Sequence, residues 1–369
     1  MNNLINVINF FAHCLARPLR QYDQVAFTNH RDHMRKVRTI NGLRGSYVRE
    51  PHGACCASRR ALSGRGKNKV LNTRSYLRSR LVPIHYIAMA IYYPLPFFAA
   101  SDRLPEPLPT LEAITTSQDV LQESTSRRIV RIGHHFLIKY GLNVTLIEGE
   151  NMLFIGQFSN IPVPQVYAIY SDKDTRVNYI VMENVKGHTL ASLWNTLATP
   201  ARTAIAARLR DVFNHLRNIP CPGYFGSLGN RALEDSMFWT RDDVGVINGP
   251  FKTEAQLNEA MALKYLYNNM SPQKAEYYRR VLPLVLRNHS PIFSHADFQR
   301  KNVMVRNDGT LVIIDWETAG WYPSYWEYTL AIFTCGRWDD DWHSWVAKIL
   351  DEYPNEYAWM DMLRRELWS

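Results

Sequence analysis

Asp297, Asn302 and Asp315 are the residues on which chemistry is most readily built. The first two lie in Phe293-Ser-His-Ala-Asp297-Phe-Gln-Arg-Lys-Asn302, and the third opens Asp315-Trp316-Glu317. Between them sit two short apolar runs, Val303–Val305 and Leu311–Ile314, joined by Arg306-Asn-Asp-Gly-Thr310. Asn, Asp and Gly tolerate the positive φ of tight turns, so the segment is predicted to be a β-hairpin. Antiparallel pairing then sets Asn302, at the start of one strand, beside Asp315, at the end of the other. Asp297, five residues earlier on a loop, reaches the same point. Phosphoryl transfer asks for such a set: a carboxylate to orient an attacking hydroxyl and accept its proton, and an amide oxygen with a second carboxylate to hold Mg²⁺. Asp297 fits the first role, Asn302 and Asp315 the second. Oxygen donors suit a hard cation, whereas Cys and His would indicate a transition metal. Each of the three is also a common turn or cap residue, but their joint spacing around a hairpin argues against that reading.

Upstream, the elements that must complete such a site divide near Gly187. Helical wording over Leu111–Glu123 leads into two β-rich runs, Arg128–Ile132 and Phe136–Tyr140, joined at Gly133-His134. A helix is predicted over Val144–Gln157, then a second hairpin from Val166–Tyr170 and Asn178–Glu183 around the polar turn Ser171–Thr175. Beyond Gly187, helices are expected over Thr189–Ala198, Ala201–Ile219, Glu254–Asn268 and Ser271–Asn288, with three more segments inside Ser324–Leu367. The class is α+β: a small antiparallel-sheet lobe with one helix at 105–185 and a mainly helical lobe at 186–369, behind a basic leader at 1–104 that is expected to be disordered.

His295-x-Asp297-x₄-Asn302 followed by Ile313-Ile-Asp315-Trp-Glu317 resembles the catalytic and metal loops of the aminoglycoside phosphotransferase/choline kinase family, a small-molecule branch of the bilobal protein-kinase-like fold. Ser294–Glu327 is similar to the wording of fungal phosphotransferase-domain proteins, and the resemblance runs from about Leu108 to Ser369. It implies ATP and Mg²⁺ as cofactors, and a hydroxyl of a small molecule as acceptor. It further implies a strand lysine on the nucleotide phosphates, for which Lys139 stands in place, and a helix glutamate paired with it. Glu148 and Glu150 are the candidates; Glu148 is preferred because Met152 and Phe154 follow at the family's spacing. Ile161-Pro-Val-Pro164 resembles the family's link after that helix. Tyr179–Val185 resembles the hinge, with the Glu183 carbonyl and Val185 amide addressing adenine and Met182 and Val181 forming an apolar wall. The glycine-rich phosphate loop is nearly absent, with only Gly133 in the first hairpin. His295 reads as a brace for the loop rather than a metal ligand. Glu317 and Glu327 are either a third metal-site carboxylate or helix-end charges, with the structural role favoured. A non-catalytic nucleotide-binding protein on this fold is the alternative; such proteins usually lack one member of the Lys/Glu/Asp/Asn/Asp set, and none is missing here. A protein kinase is disfavoured because neither the glycine-rich loop nor an Ala-Pro-Glu segment is present.

The net charge of +9 suggests a nucleic-acid or membrane partner until it is divided by position. Residues 1–100 carry 16 basic and three acidic side chains, while 101–369 carry 27 and 31, so the body is mildly acidic and no nucleic-acid partner is expected. Leu4, Val7, Ile8, Phe11 and Leu15 with Arg17 and Arg20 fit an amphipathic presequence, which sets a mitochondrial alternative against the cytoplasmic location otherwise expected. Residues 81–101 lack charge, but three prolines limit the longest uninterrupted run to Ile84–Tyr93, ten residues against the ~20 that a spanning helix needs, and no membrane span is expected. Five scattered cysteines show neither zinc-ligand spacing nor a disulfide framework. Acidic stretches at Asp339–Asp341 and Asp351-Glu352 read as solvated helix charge, with attraction of a cationic acceptor as the alternative.

Overall fold

The structure, a computed structural model, describes residues 93–158, 161–336 and 338–367. The presequence-like segment at 4–20 and most of the uncharged run at 81–101 lie outside them. Among the described residues no helix is long and apolar enough to cross a membrane.

The smaller lobe is a wholly antiparallel six-stranded sheet of β1 (Phe97–Phe98), β2 (Val120–Ser124), β3 (Arg127–Ile132), β4 (Phe136–Gly141), β5 (Val166–Ser171) and β6 (Asn178–Glu183), in the order β1-β5-β6-β4-β3-β2. Period-2 alternation sorts its side chains. Phe136, Ile138, Tyr140, Tyr179 and Val181 pack on the outer face with Ile114 of α1 (Leu111–Thr115), whereas Ile169, Ile180 and Met182 face inward to the main core. Lys139, alternating with Ile138 and Tyr140, is inward too. Against the inner face lies α2 (Ile147–Ile155), buried on most sides. Gly149 permits the approach: a Cβ there would stand 2.6 Å from Ile169 Cδ1, so any side chain would lift the helix and carry Glu148 away from β4.

Two expectations are corrected here. Helical wording over Leu111–Glu123 yields a helix only to Thr115; the Thr115 and Thr116 hydroxyls donate to the carbonyls of Leu111 and Glu112, a competing bond that favours helix ends. Val120–Ser124 is instead β2, so the first hairpin of the sheet is β2–β3, turning at Thr125-Ser126. The boundary at 104/105 also shifts: β1 pairs with β5 through Phe97↔Ile169 and Phe98↔Ala168, which makes residues from 97 onward part of the sheet.

The larger lobe contains α3 (Leu190–Leu193), α4 (Thr199–Arg217), α5 (Gly245–Asn248), α6 (Glu254–Tyr267), α7 (Pro272–Val285), α8 (Trp326–Phe333), α9 (Trp342–Ile349) and α10 (Pro354–Leu367). The helix expected over Thr189–Ala198 is broken: His188–Thr189 forms strand β7, and Trp194–Thr196 a 3₁₀ turn after α3. Two cores hold this lobe. One joins α4 and α9 to the inner face of the sheet; the other gathers α6, α7, α8 and α10. The lobe also carries two three-stranded sheets, β11-β10-β7 and β8-β12-β9, from β8 (Gly226–Ser227), β9 (Pro291–Ser294), β10 (Val303–Val305), β11 (Leu311–Ile313) and β12 (Gly320–Pro323).

Candidate active site

The loop after β9 is held by buried polar groups. Glu327, near the start of α8, accepts hydrogen bonds from the backbone N–H of His295 at 2.6 Å and of Ala296 at 3.1 Å. Ala296 has φ +59°, a left-handed conformation that such anchoring must support. His295 Nδ1 accepts from the Asp297 N–H at 3.2 Å, so its Nε2 carries the proton donated to the Ile314 carbonyl at 2.9 Å. Both ring nitrogens are thus engaged, and His295 ties the Asp297 loop to the end of the hairpin as expected. Burial pushes the Glu327 carboxyl above its usual range.

The β10–β11 hairpin pairs Val303↔Ile313 and Val305↔Leu311, and the Ile314 N–H donates to the Asn302 carbonyl at 2.9 Å, which places Asn302 and Asp315 side by side. Asn302 donates through Nδ2 to the Asp297 carbonyl at 2.9 Å and to Asp297 Oδ2 at 2.7 Å. Two acceptors on that nitrogen fix the amide's orientation and leave Oδ1 for a cation. Gln299 Nε2 donates to Asp297 Oδ1 at 2.5 Å, and Lys301 Nζ lies 3.6 Å from Oδ2. Arg300 is committed elsewhere, paired with Asp340 at 2.5 Å and set over the rings of Trp194 and Trp342. Of the basic pair Arg300-Lys301, only Lys301 therefore accompanies Asp297. Asp315 itself has φ +67°.

Lys139 joins the lobes. Its Nζ lies 2.5 Å from Glu148, 2.7 Å from Glu317 and 3.2 Å from Asp315. Lys139 and Glu148 are each 3% exposed, so losing the lysine would strand the buried carboxylate at ~3–5 kcal/mol, whereas the lysine has two further carboxylates to turn to. Burial opposes the lysine's charge, but the carboxylates of Glu148, Asp315 and Glu317 outweigh it and raise its pKa above the ordinary value. Burial drives the Glu148 carboxyl up to about 7 against the pull of Lys139. Two residues on, across the helix, Glu150 points away, to Arg231 at 2.8 Å. Asn151 of α2 donates to the Trp316 carbonyl at 2.8 Å, tying the helix to the segment behind Asp315.

Glu148, Asp315 and Glu317 bring carboxylate oxygens within 4.8 Å of one another. Arg127, the first residue of β3, donates to both Glu317 oxygens, at 3.0 and 3.4 Å. Three carboxylates thus face two cations, and a divalent oxygen-seeking ion would relieve the surplus. Asn302 Oδ1, Asp315 and Glu317 supply donors of the kind Mg²⁺ takes. Of the two glutamates held open from sequence, Glu317 stands in this cluster while Glu327 braces the loop. Arg127 has no place in the set read from sequence; within the stretch Gln299-Arg300-Lys301, which the sequence marks as basic beside Asp297, it is the neutral Gln299 that bonds to that carboxylate. Val120–Ser124 shows no alternation in residue type or burial, so no local signal marked the turn that carries Arg127.

At the hinge Glu183 pairs with Arg306 at 2.7 Å, and the Asn184 N–H donates to the His135 carbonyl at 2.8 Å. The Val185 amide, beyond the end of β6, makes no backbone hydrogen bond among the described residues. Met182 faces the inner side beside Leu137, its cross-strand neighbour. Val181 does not line the same wall: strand alternation turns it to the outer face. The acidic stretches stay at the surface, where Asp341 pairs with Arg202 at 3.1 Å, Asp351 with Arg210 at 3.0 Å, and Glu352 accepts from the Tyr328 hydroxyl at 3.3 Å.

No curated protein matches this chain. Solved structures with a similar fold include the aminoglycoside phosphotransferase APH(4)-Ia, 17% identical, TM-score 0.48, over 70% of this chain and 85% of that one. A thermostable APH(4)-Ia variant in ternary complex with ADP and hygromycin B aligns at 17% identity and TM-score 0.45, over 70% of this chain and 82% of that one. The GDP and kanamycin complex of a second such enzyme, APH(2")-IIia, aligns at 15% identity and TM-score 0.42, over 68% of this chain and 81% of that one. The family model described as the phosphotransferase enzyme family matches residues 144–363, more than half of the sequence, and the chain belongs to that family.

Proposed function

We propose that the protein transfers the γ-phosphate of ATP, with Mg²⁺, to a hydroxyl group of a small molecule. The observation that carries this reading is the convergence of Lys139 on Glu148, Asp315 and Glu317, beside an Asp297 carboxylate already oriented by Asn302 and Gln299. Asp297 orients the acceptor hydroxyl and takes its proton. Lys139, held in place by Glu148, meets phosphate charge. Asn302 Oδ1 and Asp315 hold the metal, with Glu317 as a further donor, and bound Mg²⁺ supplies neutralisation of the phosphate oxygens. Leu137 and Met182 form the apolar floor for adenine, and the Glu183 carbonyl and Val185 amide address its edge. Preorganised charge in a partly dry cleft supplies most of the rate in such a site.

Asp297→Asn and Asp315→Ala, assayed for phosphate transfer from ATP·Mg²⁺ to a panel of amine-bearing and neutral hydroxyl metabolites, are expected to lose turnover by roughly 10²–10⁴-fold, the range for a positioned acid–base or charge-stabilising group. Asp297→Asn should retain nucleotide binding. Wild-type turnover in either variant would defeat the assignment. Binding of ATP·Mg²⁺ by the wild type with no transfer to any member of the panel would favour the non-catalytic reading.

A further inference from the structure

In protein kinases a glycine-rich loop covers the nucleotide phosphates and can offer them backbone amides; in this chain the first turn of the sheet, between β2 and β3, reads Ser124-Thr125-Ser126-Arg127 with no glycine. We propose that Arg127 grips the terminal phosphates of the nucleotide in place of those amides, and that Glu317 holds it in readiness until they arrive. The inference rests on the nucleotide reading above and deepens it by adding a phosphate-binding residue.

Position is the first support. Arg128 bonds to the Tyr140 hydroxyl on the outer face and Ile129 lies opposite Lys139, so alternation turns Arg127 to the cleft side. Its Nη1 reaches Glu317, whose Oε2 also takes Lys139 at 2.7 Å, and Lys139 in turn meets Asp315. The turn is seated, not loose. A Cβ on Gly141, at φ +147°, would fall 2.1 Å from the Ser126 carbonyl oxygen, and the same oxygen accepts from the Asn143 N–H at 3.2 Å. The backbone that carries Arg127 is therefore packed against the end of β4, the strand of Lys139.

The second support is the contrast between the two cations of the cluster. Lys139 is sealed with Glu148, whereas Arg127 and Glu317 are 25% and 30% exposed. An ion pair that water reaches is weak and exchanges partners readily; a sealed one does not. Arg127 is thus the cation able to leave. A guanidinium also presents a fork of donors that matches phosphate oxygens as well as it matches a carboxylate. Glu317 has competing demands from Arg127, Lys139 and any metal held with Asp315, so loading the site with metal weakens the hold on Arg127 as phosphate becomes available.

The test is calorimetric binding of ATP·Mg²⁺ and of AMP to the full chain and to Arg127→Ala and Arg127→Lys, with thermal unfolding recorded for each. AMP keeps adenine, ribose and the α-phosphate but lacks the groups Arg127 is assigned to hold. Arg127→Ala should weaken ATP·Mg²⁺ at least ten-fold and AMP less than two-fold at an unchanged Tm, and Arg127→Lys should recover part of the loss. If Arg127→Ala keeps the wild-type ratio of ATP to AMP affinity, Arg127 is only a partner for Glu317 and the proposal falls. Equal loss of both ligands, or a lowered Tm, overturns it in favour of a structural role. A wild type that binds neither ligand removes the nucleotide reading itself, and the assignment of Arg127 with it.

Discussion

Glu148 and Glu327 are both almost fully buried, one on each side of the cleft, and they are satisfied in opposite ways. Glu148, on the sheet's helix, faces the ammonium of Lys139 and sits among like charges, Asp315 and Glu317. Glu327, on α8, has two backbone N–H groups on one oxygen and no hydrogen-bond partner on the other. The first arrangement sets the charge of a site; the second sets the path of a loop. Removing the two residues should therefore do different damage.

Glu327→Ala is expected to have the largest effect. It leaves the buried N–H groups of His295 and Ala296 without an acceptor, at roughly 1–3 kcal/mol each, and releases the left-handed residue next to Asp297. Chemical denaturation should show a loss of that size, and turnover should collapse with it. Glu148→Gln, in contrast, should leave stability nearly unchanged, because Lys139 keeps Asp315 and Glu317, while weakening nucleotide binding by losing the group that aims Lys139. Equal stability losses in the two variants would erase the distinction.

pH sharpens the same comparison. The Glu148 carboxyl is raised from 4.5 to about 7 in the folded protein, so the native state binds its proton more tightly than the unfolded chain does. Its contribution is then fully present below about pH 4.5 and is lost as pH rises through about 7, a difference on the order of 3 kcal/mol. The nucleotide-free wild type should lose stability across that window, and Glu148→Gln should flatten the slope. Glu327, raised in the same direction, should leave a smaller slope in that variant. An unaltered slope in Glu148→Gln would show that other groups govern it.

The smallest effect concerns the edge of the sheet. Removing residues 1–92 should preserve nucleotide binding. Removing 1–104 strips β1, whose Phe98 stacks on Tyr170 at 5.7 Å, and should cost about 1 kcal/mol in thermal unfolding measurements. Identical melting of the two truncated chains would place the boundary back at 104.

The parts of the site legible in sequence are those whose partners lie close along the chain. Asp297, Asn302 and Asp315 fall within 19 positions around one hairpin, and its turn chemistry alone sets Asn302 beside Asp315. Both strands of the second hairpin were legible for the same reason. The alternation that separates Val181 from Met182 was equally available, since period-2 geometry cannot put neighbours on one face. Local signals conflict over Leu111–Glu123: its composition is helical, yet its hydroxyl residues end the helix and pairing with β3 claims Val120–Glu123.

By itself, then, the sequence determined which groups are on offer, carboxylates and an amide gathered around one hairpin, and the order of the elements that carry them. Tertiary structure alone decided which charges meet. Arg127 and Glu317 are 190 positions apart and Lys139 and Glu317 are 178 apart, and neither contact has a local signature. Gly149 lets α2 descend on the sheet, Gly141 seats the β2–β3 turn, and Asn151 ties α2 to the segment behind Asp315. Ion pairing depends on distance and burial, and both are properties of the packed molecule that spacing along a chain does not carry.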